Sequence, residues 1–311
     1  MWVSPLAADA LTTVVARSLP ASPSLAVAVR AADGSSAEVA KGSVGGTPLG
    51  VHSVMYGASI AKQVIGVLAA QMSVLGRLDP DEALARYLDD LPSWASEVRV
   101  RHLIHHTSGL PEVGRRADNS GNAEFLSRLC DMPGLAGEPG TTFRYSNVGY
   151  VCLAEVVRRL DGRPLDHLAQ STLFRPLGMT TARLGGAMPK GLQGQQQPPA
   201  TLGDGGLWLS VRDLALWNDA MNRRALGSSV HALAEETGRL SDGTPLDYAW
   251  GIRVFQHGGR RTTSHGGSWP TWSSKTIRQP EQGVSVAILS TSDDAQAVTD
   301  VALALADELN P

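Results

Sequence analysis

The chain contains 311 residues, of which 42% are hydrophobic and 18% are charged, so it is long enough for one large or two modest globular domains with a sizeable core. A net charge of −3 gives no basic surface for nucleic acid, and no run of about 18 apolar residues is present to span a membrane. Cys130 and Cys152 are too few for a disulfide framework, and the N-terminus lacks a signal-peptide pattern, so we expect free thiols in a cytoplasmic protein.

Hydrophobic periodicity and turn residues predict strands at both ends of the chain and helices in its middle. The first elements are a helix over 9–18, strands over 24–30 and 36–42, an extended segment over 51–56, and a helix that begins near Ser59 and continues over 63–72. The central elements are a short helical piece over 81–87 and helices over 122–129, 148–160 and 165–174. The last elements are a helix over 214–221, strands over 249–255, 261–265, 272–277 and 284–290, and a helix over 295–309.

This distribution predicts one sheet that is assembled from both chain ends. Hairpin connections favour an antiparallel α+β sheet over a doubly wound one. We assign 1–75 and 200–311 to a discontinuous sheet domain and 76–199 to a mainly helical domain, with the Gly-, Gln- and Pro-rich stretch 194–199 as the return linker. Ser210 and Asp213 have the spacing of a capping box at the start of the 214–221 helix. The sequence contains no internal repeat.

Ser59 and Lys62 form an S-x-x-K motif at the start of a predicted helix. Positions i and i+3 share a helix face, so the Lys62 amine can reach the Ser59 hydroxyl. A serine needs a base to remove its proton, and an amine can serve when its surroundings keep it neutral. The motif is weak alone, because a chain of this length contains roughly one by chance, and a solvated lysine on a helix is an equal interpretation.

Two further segments place polar groups at the ends of predicted elements. Tyr145-Ser146-Asn147 precedes a helix, where a tyrosine can exchange protons with a nearby lysine and an asparagine amide can bind a substrate carbonyl. His265-Gly266-Gly267-Ser268 ends a strand, and its glycines allow a ligand to approach the backbone. The backbone N–H groups of Ser59 and Ser268 can then form an oxyanion hole. Taken singly, Tyr145 also fits a packed aromatic residue and the glycine pair fits a turn.

Together, the order and spacing of these three segments resemble the serine β-lactamase and penicillin-recognising hydrolase family. The resemblance is to its class C-like branch, which includes family VIII carboxylesterases and D-aminopeptidases, and it extends from about Ser24 to Ser290. It includes the framework stretches 101–111, 139–147, 176–179 and 205–210.

The resemblance implies a β-lactamase/transpeptidase-like α+β fold, with an antiparallel sheet flanked by helices and a central helical domain. The active site would lie where the two domains meet. By the same resemblance Ser59 is the acylated nucleophile, Lys62 and Tyr145 share the proton transfers, and Asn147 holds the acyl side of the substrate. The oxyanion hole would be formed by the backbone N–H groups of Ser59 and Ser268.

The chain departs from the family pattern at His265, which stands where penicillin-recognising members have the lysine of Lys-Thr-Gly. That argues against a dedicated β-lactamase, because the fixed charge that attracts a substrate carboxylate is absent from this position. We expect His265, Gly266, Gly267 and Trp269 to contact substrate in a crowded, aromatic pocket, although Trp269 and Trp272 also fit core positions. Thr271 stands where a glycine is expected, and the fragment Lys275-Thr276-Ile277 is interpreted as strand.

Two other patterns in the sequence compete with this assignment. His102, His105 and His106 have a spacing that permits a metal site, but the family framework explains His106 as structural, so no metal and no cofactor is expected. Residues 57–61 also resemble the nucleophile elbow of α/β-hydrolases, with His265 as base. Too few strands precede Ser59 for that fold.

These observations predict a serine hydrolase that cleaves carboxylic esters of small molecules through a Ser59 acyl-enzyme. The same residues fit a D-amino-acid amidase or aminopeptidase, an amide-forming transacylase and a weak β-lactamase. A catalytically silent module that binds cell-wall fragments is the alternative from another class. Neither nucleic acid nor a membrane is an expected partner, and the sequence gives no oligomeric state.

Overall fold

The computed structural model describes residues 24–114, 121–192 and 194–309, and the helix predicted over 9–18 lies outside them. The strands of the described chain are β1 (Leu25–Arg30), β2 (Ser36–Lys41), β3 (Ser43–Val44), β4 (Thr47–Pro48), β5 (Met55–Ala58), β6 (Arg183–Leu184), β7 (Leu207–Leu209), β8 (Arg253–His257), β9 (Arg260–Trp269), β10 (Trp272–Gln279) and β11 (Val284–Ser290). The α-helices are α1 (Ala61–Val74), α2 (Val100–Ile104), α3 (Asn122–Cys130), α4 (Asn147–Asp161), α5 (Leu165–Ala169), α6 (Val211–Asn222), α7 (Ser228–Ala234) and α8 (Ala295–Glu308).

A six-stranded antiparallel sheet in the order β2-β1-β11-β10-β9-β8 joins the two ends of the chain. β1, the first strand of the described chain, lies between β2 and β11, the last strand. The sheet therefore contains strands from both ends of the chain. β5, which leads to Ser59, belongs to a separate three-stranded sheet with β7 and β6. The predicted α+β architecture with a sheet from both chain ends is confirmed.

Helices cover both faces of the main sheet. α8 packs one face with Val298, Val301, Ala302 and Leu305, a spacing that puts all four on one side of a helix. Its N-terminus is capped by Asp294, whose side chain accepts from the Ala297 N–H. The other face packs against α1 and α6 within the larger core.

The residues between α1 and β7 are mainly helical, as predicted, and they pack α4 against α1 and α2. The domain boundaries at 75/76 and 199/200 stay a prediction. Among the described helices, none is long and apolar enough to cross a membrane.

Three local predictions need correction. The helical piece over 81–87 is a single 3-10 turn, Leu84–Arg86, because the Leu84 N–H donates to the Val98 carbonyl instead of continuing a helix. The strand predicted over 249–255 begins only at Arg253, since Ala249 donates to Ile252 in a turn.

The predicted capping box is only half formed. The Ser210 hydroxyl accepts from the Asp213 N–H at 3.2 Å, as a capping residue does. The Asp213 carboxylate, however, accepts from the N–H groups of Thr181 and Ala182 and does not return to Ser210. The Ser210 N–H donates to the Thr181 hydroxyl instead. Asp213 therefore ties α6 to the segment that leads into β6.

α1 lies in direct backbone contact with the turn before β8. A Cβ built on Gly66 would lie 2.0 Å from the Trp250 carbonyl oxygen. Gly251 has a φ of +88°, and a Cβ there would lie 2.2 Å from the Lys62 carbonyl oxygen. The two glycines thus set how closely this turn approaches the helix that carries Lys62.

We expect Gly66→Ala to lower the free energy of unfolding by about 2–3 kcal/mol, although the same change in an open helix stabilises by up to about 1 kcal/mol. Urea unfolding measures the difference. Gly149→Ala in α4 is the matched control, because its added Cβ would meet Leu103 at an ordinary 3.6 Å. Equal stability of the two variants would contradict the close packing of α1.

Candidate active site

Ser59 lies between the end of β5 and the start of α1. The turn is made by hydrogen bonds from Ile60 N–H to the Gly57 carbonyl and from Lys62 N–H to the Ser59 carbonyl, both 3.1 Å. Ala58 has a φ of +46°, a left-handed conformation that a non-glycine residue seldom adopts. The Ser59 backbone N–H donates to no other group in the described residues. The predicted position of Ser59 at the helix N-terminus is therefore correct, and its N–H is available to a ligand.

The Lys62 side chain is fully buried and points at Ser59. Its Nζ lies 3.3 Å from Ser59 Oγ, 2.8 Å from Asn147 Oδ1 and 2.8 Å from the backbone oxygen of Asp204. The Asp204 contact has no signal in the sequence, since any residue supplies a carbonyl. These contacts place the amine in one position against the serine hydroxyl.

Tyr145 and Asn147 reach the site from the start of α4. The Ser146 hydroxyl caps that helix by accepting from the Gly149 N–H at 3.2 Å, which fixes Asn147 in the first turn. Tyr145 is 39% exposed, and its ring centroid lies 4.9 Å from Lys62 Nζ. Within the described chain the Tyr145 hydroxyl has no hydrogen-bond partner, so it contacts the lysine through its ring.

His106 packs against the segment that carries Tyr145 and Ser146. Its Nδ1 accepts from the Ser146 N–H at 3.1 Å, and its carbonyl accepts from the Arg144 N–H at 2.8 Å. The imidazole ring stacks under Tyr145 and Tyr248, each with a centroid separation of 4.4 Å. Burial and the Lys62 charge lower the pKa of His106 well below its usual range, so it is a neutral scaffold.

His265 lies in β9 and is engaged on both nitrogens. Its Nδ1 donates to the Gly266 carbonyl at 2.6 Å, so its Nε2 accepts from the Tyr248 hydroxyl at 2.9 Å. Burial, followed by the Lys62 charge, lowers the pKa of His265 to about 3. His265 is therefore neutral near pH 7 and supplies no positive charge.

An open cleft of about 390 Å³ collects most of the predicted site residues. They are Ser59, Tyr145, Asn147, Gly266, Gly267 and Ser268. Ser274, Ala295 and Thr299 also line the cleft and were not predicted. The Ser274 hydroxyl donates to the Gly57 carbonyl at 2.8 Å, which ties β10 to the turn before Ser59. A Cβ on Gly267 would lie 2.5 Å from that same carbonyl, so only glycine fits there.

The two tryptophans of the β9–β10 turn lie outside this lining. Trp272 is fully buried and donates from Nε1 to the Gln196 carbonyl, and Trp269 is half-buried against the main core. Thr271, between them, has a φ of +65°, which explains why glycine is expected at this position. Its hydroxyl accepts from the Gln196 N–H at 2.9 Å, so the predicted linker packs on this turn.

The described residues contain no cluster of histidine, cysteine and carboxylate side chains with the geometry of a metal site. His102 Nδ1 accepts from the Arg99 N–H, and His105 Nδ1 donates to the Tyr248 carbonyl. Cys130 and Cys152 are free thiols. Tyr248 is a further residue that sequence reasoning missed: it contacts His265 and His106, but a lone tyrosine outside a motif carries no signal.

Acidification is expected to destabilise the protein between about pH 6.5 and pH 4. Burial lowers the pKa of His105 to about 4 and that of His265 to about 3, and it lowers the pKa of His106 further from its usual value. In this pH range these histidines bind protons in the unfolded chain but stay neutral in the folded chain. Each such histidine then lowers the free energy of unfolding by up to about 1.4 kcal/mol per pH unit.

Urea titrations at pH 7.5, 6.5 and 5.5 measure this dependence. His105→Asn should reduce the slope by about one proton, because an amide does not titrate, whereas the exposed His52 replaced by asparagine should leave it unchanged. A free energy of unfolding that stays constant from pH 7.5 to 5.5 would contradict the neutral buried histidines.

With this geometry in place, the chain can be compared with known proteins. The sequence model of the β-lactamase family matches residues 15–309. The D-aminopeptidase of Gluconobacter oxydans is 27% identical over 211 residues, which are 60% of this chain and 40% of that relative. The D-aminopeptidase of Brucella canis is 26% identical over 254 residues, which are 72% of this chain and 48% of that relative. The chain thus spans less than half the length of these two curated relatives.

Solved structures agree with this assignment at the level of the fold. A penicillin-binding protein homologue from Pyrococcus abyssi, described as octameric, superposes with a TM-score of 0.82 at 21% identity and covers 97% of this chain and 77% of that one. The D-amino acid amidase from Ochrobactrum anthropi SV3 superposes with a TM-score of 0.82 at 18% identity, covering 97% of this chain and 98% of that one.

The chain therefore belongs to the β-lactamase family and has its fold, as the sequence resemblance implied. The relatives that it resembles in this family are D-aminopeptidases and a D-amino acid amidase. The chemical roles of the individual site residues stay predictions.

Proposed function

We propose that this protein is a serine hydrolase that cleaves amide bonds of D-amino acids through an acyl-enzyme on Ser59. One observation carries the proposal: a buried lysine, Lys62, has its Nζ 3.3 Å from Ser59 Oγ in a cleft open to a small molecule. The D-aminopeptidases and the D-amino acid amidase named above support the choice of substrate.

The contacts of Lys62 support its role as the base. In its neutral form the amine has two N–H bonds, and two acceptors lie at 2.8 Å, Asn147 Oδ1 and the Asp204 carbonyl. Its lone pair is then directed at the Ser59 hydroxyl. Serine attack on the substrate carbonyl transfers the hydroxyl proton to Lys62, and the oxyanion forms beside the N–H groups of Ser59 and Ser268.

Collapse of the tetrahedral intermediate breaks the scissile bond and leaves an ester on Ser59. The leaving amine takes its proton from the lysine, with Tyr145 as the second member of the proton path. Water then attacks the ester through the same groups, so the free acid departs and Ser59 regains its proton. Asn147, whose oxygen is held by Lys62, presents its amide N–H groups to the acyl part of the substrate.

Ester hydrolysis is the second candidate, and one observation favours it. His265 is neutral and engaged by Tyr248, so this position does not supply the fixed charge that a β-lactam carboxylate requires. Esters need less leaving-group protonation than amides. A transacylase, a weak β-lactamase and a silent binding module remain outcomes of the tests below.

A fluorophosphonate probe tests the acyl-enzyme directly. Intact protein should gain the mass of one phosphonyl group, and Ser59→Ala should gain none. If wild type and Ser59→Ala both stay unmodified, the proposed nucleophile is wrong, and the alternative of a catalytically silent binding module is favoured.

A substrate panel then separates the acyl-transfer alternatives. D-alanyl and L-alanyl p-nitroanilides, p-nitrophenyl acetate and a chromogenic cephalosporin should be compared with and without an added amine acceptor. We expect the D-anilide to be cleaved at least tenfold faster than the L-anilide. Faster turnover of the acetate ester than of any anilide would favour the esterase, and cephalosporin turnover equal to the best substrate would overturn the argument from His265.

A further inference from the structure

Lys275 lies beside the cleft on the strand next to His265. It is paired in register with Gly266, a residue of the cleft wall. A Cβ built on Gly266 would lie 3.5 Å from Lys275 Cδ and 3.9 Å from Lys275 Nζ. The lysine side chain therefore runs across β9 at Gly266, where the strand has no side chain in its way.

The far side of Gly266 is an open strand edge. β8 pairs with β9 only from Arg260 to Ser264, so in the described chain no strand pairs with the outer edge of β9 from His265 to Trp269. The neighbours of Lys275 along β10 point to the side of the sheet that holds β5 and α1: Ser274 donates to the Gly57 carbonyl of β5, and Thr276 accepts from Gln63 of α1. Because side chains alternate along a strand, Lys275 projects from the opposite face. That is the α8 face, which contributes Ala295 and Thr299 to the cleft.

The Lys275 side chain is partly buried and has no polar partner in the described chain. Among the described residues it makes no hydrogen bond and no ion pair. Burial, reinforced by the Arg253 charge, lowers the pKa of Lys275 from its usual value. Arg253 itself is paired with Asp247. A partly buried cation without a counter-charge destabilises the folded protein, and an anion bound beside it would offset that cost.

We propose that Lys275 binds a carboxylate of the substrate at the open edge of β9, beside Gly266. The inference rests on the proposed function and refines it, because it assigns as substrates peptides with a free C-terminal carboxylate. Gly266 lies two residues from Ser268 on the same strand, a separation of about 7 Å. The residue that follows the scissile bond can extend its carboxylate over part of this distance, and the Lys275 side chain can cover the rest. Lys275 on β10 would thus supply the positive charge that His265 on β9 does not.

A pair of dipeptides tests the proposal, D-alanyl-D-alanine and D-alanyl-D-alaninamide, which differ only in the C-terminal charge. We expect wild type to release D-alanine from the free acid with at least tenfold higher kcat/KM than from the amide. Lys275→Met should lower kcat/KM for the acid at least tenfold, mainly through KM, and lower that for the amide less than twofold. Lys275→Arg should keep most of the preference, and Lys41→Met, which changes an exposed lysine at the end of β2, should match wild type.

The outcomes separate this inference from the proposed function. An equal loss for both dipeptides in Lys275→Met, or an acid preference that survives it, would overturn the role of Lys275. If wild type cleaves the free acid and the amide equally well, that result alone would overturn the role of Lys275. If fluorophosphonate labels Ser59 but neither dipeptide is cleaved, Ser59 is still the nucleophile and the proposed carboxylate site is wrong. Absence of Ser59 labelling would overturn the proposed function itself.

Discussion

Lys62→Met is expected to slow acylation of Ser59 by about 10²- to 10⁴-fold, the usual contribution of a positioned general base. Methionine keeps most of the side-chain volume, so the packing around α1 is retained. It removes the nitrogen that lies 3.3 Å from Ser59 Oγ, so the hydroxyl has no proton acceptor. Single-turnover acylation by a D-alanyl p-nitroanilide, with release of nitroaniline as the signal, measures the rate.

The variant also removes the Lys62 donor from the partly buried Asn147 Oδ1 and from the buried Asp204 carbonyl, and at the buried carbonyl this costs about 1–3 kcal/mol of stability. Urea unfolding must therefore accompany the kinetics. Lys41→Met controls for loss of a lysine, and Ser59→Ala sets the lower limit of the rate. A folded Lys62→Met protein that acylates within tenfold of wild type would remove Lys62 from the mechanism.

The sheet could be predicted because its strands are long and their hydrophobic pattern is regular. β1, β10 and β11 have buried, β-branched or small residues on a common face, and short turns separate β9 from β10. The short elements could not be predicted. β7, with three residues, pairs with β5, and β6, with two residues, pairs with β7, so both depend on neighbours that are distant in the sequence. α7 has no pattern long enough to detect.

The site could be predicted where a motif fixes distance along the chain. Ser59 and Lys62 are one helical turn apart, so local geometry alone brings them together. Asn147 was named from its motif, but its contact with Lys62 joins residues 85 positions apart and depends on how α4 packs on α1. The sequence alone could not supply that distance.

Residue type alone was misleading at the two basic positions of the site. His265 suggests a titrating group, yet burial and the Lys62 charge lower its pKa to about 3 and keep it neutral. Lys275 suggests an ordinary strand residue, and only the pairing register reveals that it lies across Gly266. Both conclusions depend on neighbours that have no fixed spacing in the sequence.

Tyr145→Phe is expected to lower kcat/KM by about 10²-fold while leaving the fold intact. Phenylalanine keeps the ring that stacks on His106 at 4.4 Å and faces Lys62 Nζ at 4.9 Å. Only the phenol oxygen is lost, and among the described residues it has no hydrogen-bond partner, so the free energy of unfolding should change by less than about 0.5 kcal/mol.

Tyr150→Phe provides the opposite control. Its hydroxyl is fully buried and donates to the Ile104 carbonyl at 3.0 Å, so its removal should cost about 1–2 kcal/mol of stability. Its ring also lies near Lys62 Nζ, at 5.6 Å, yet Tyr150 is absent from the cleft lining, and we expect kcat/KM to stay within threefold of wild type. A ring near the lysine is thus common to both tyrosines, whereas a hydroxyl open to the cleft belongs to Tyr145. If Tyr145→Phe keeps its activity, the tyrosine acts only through its ring, and Lys62 alone must carry the proton from Ser59 to the leaving group.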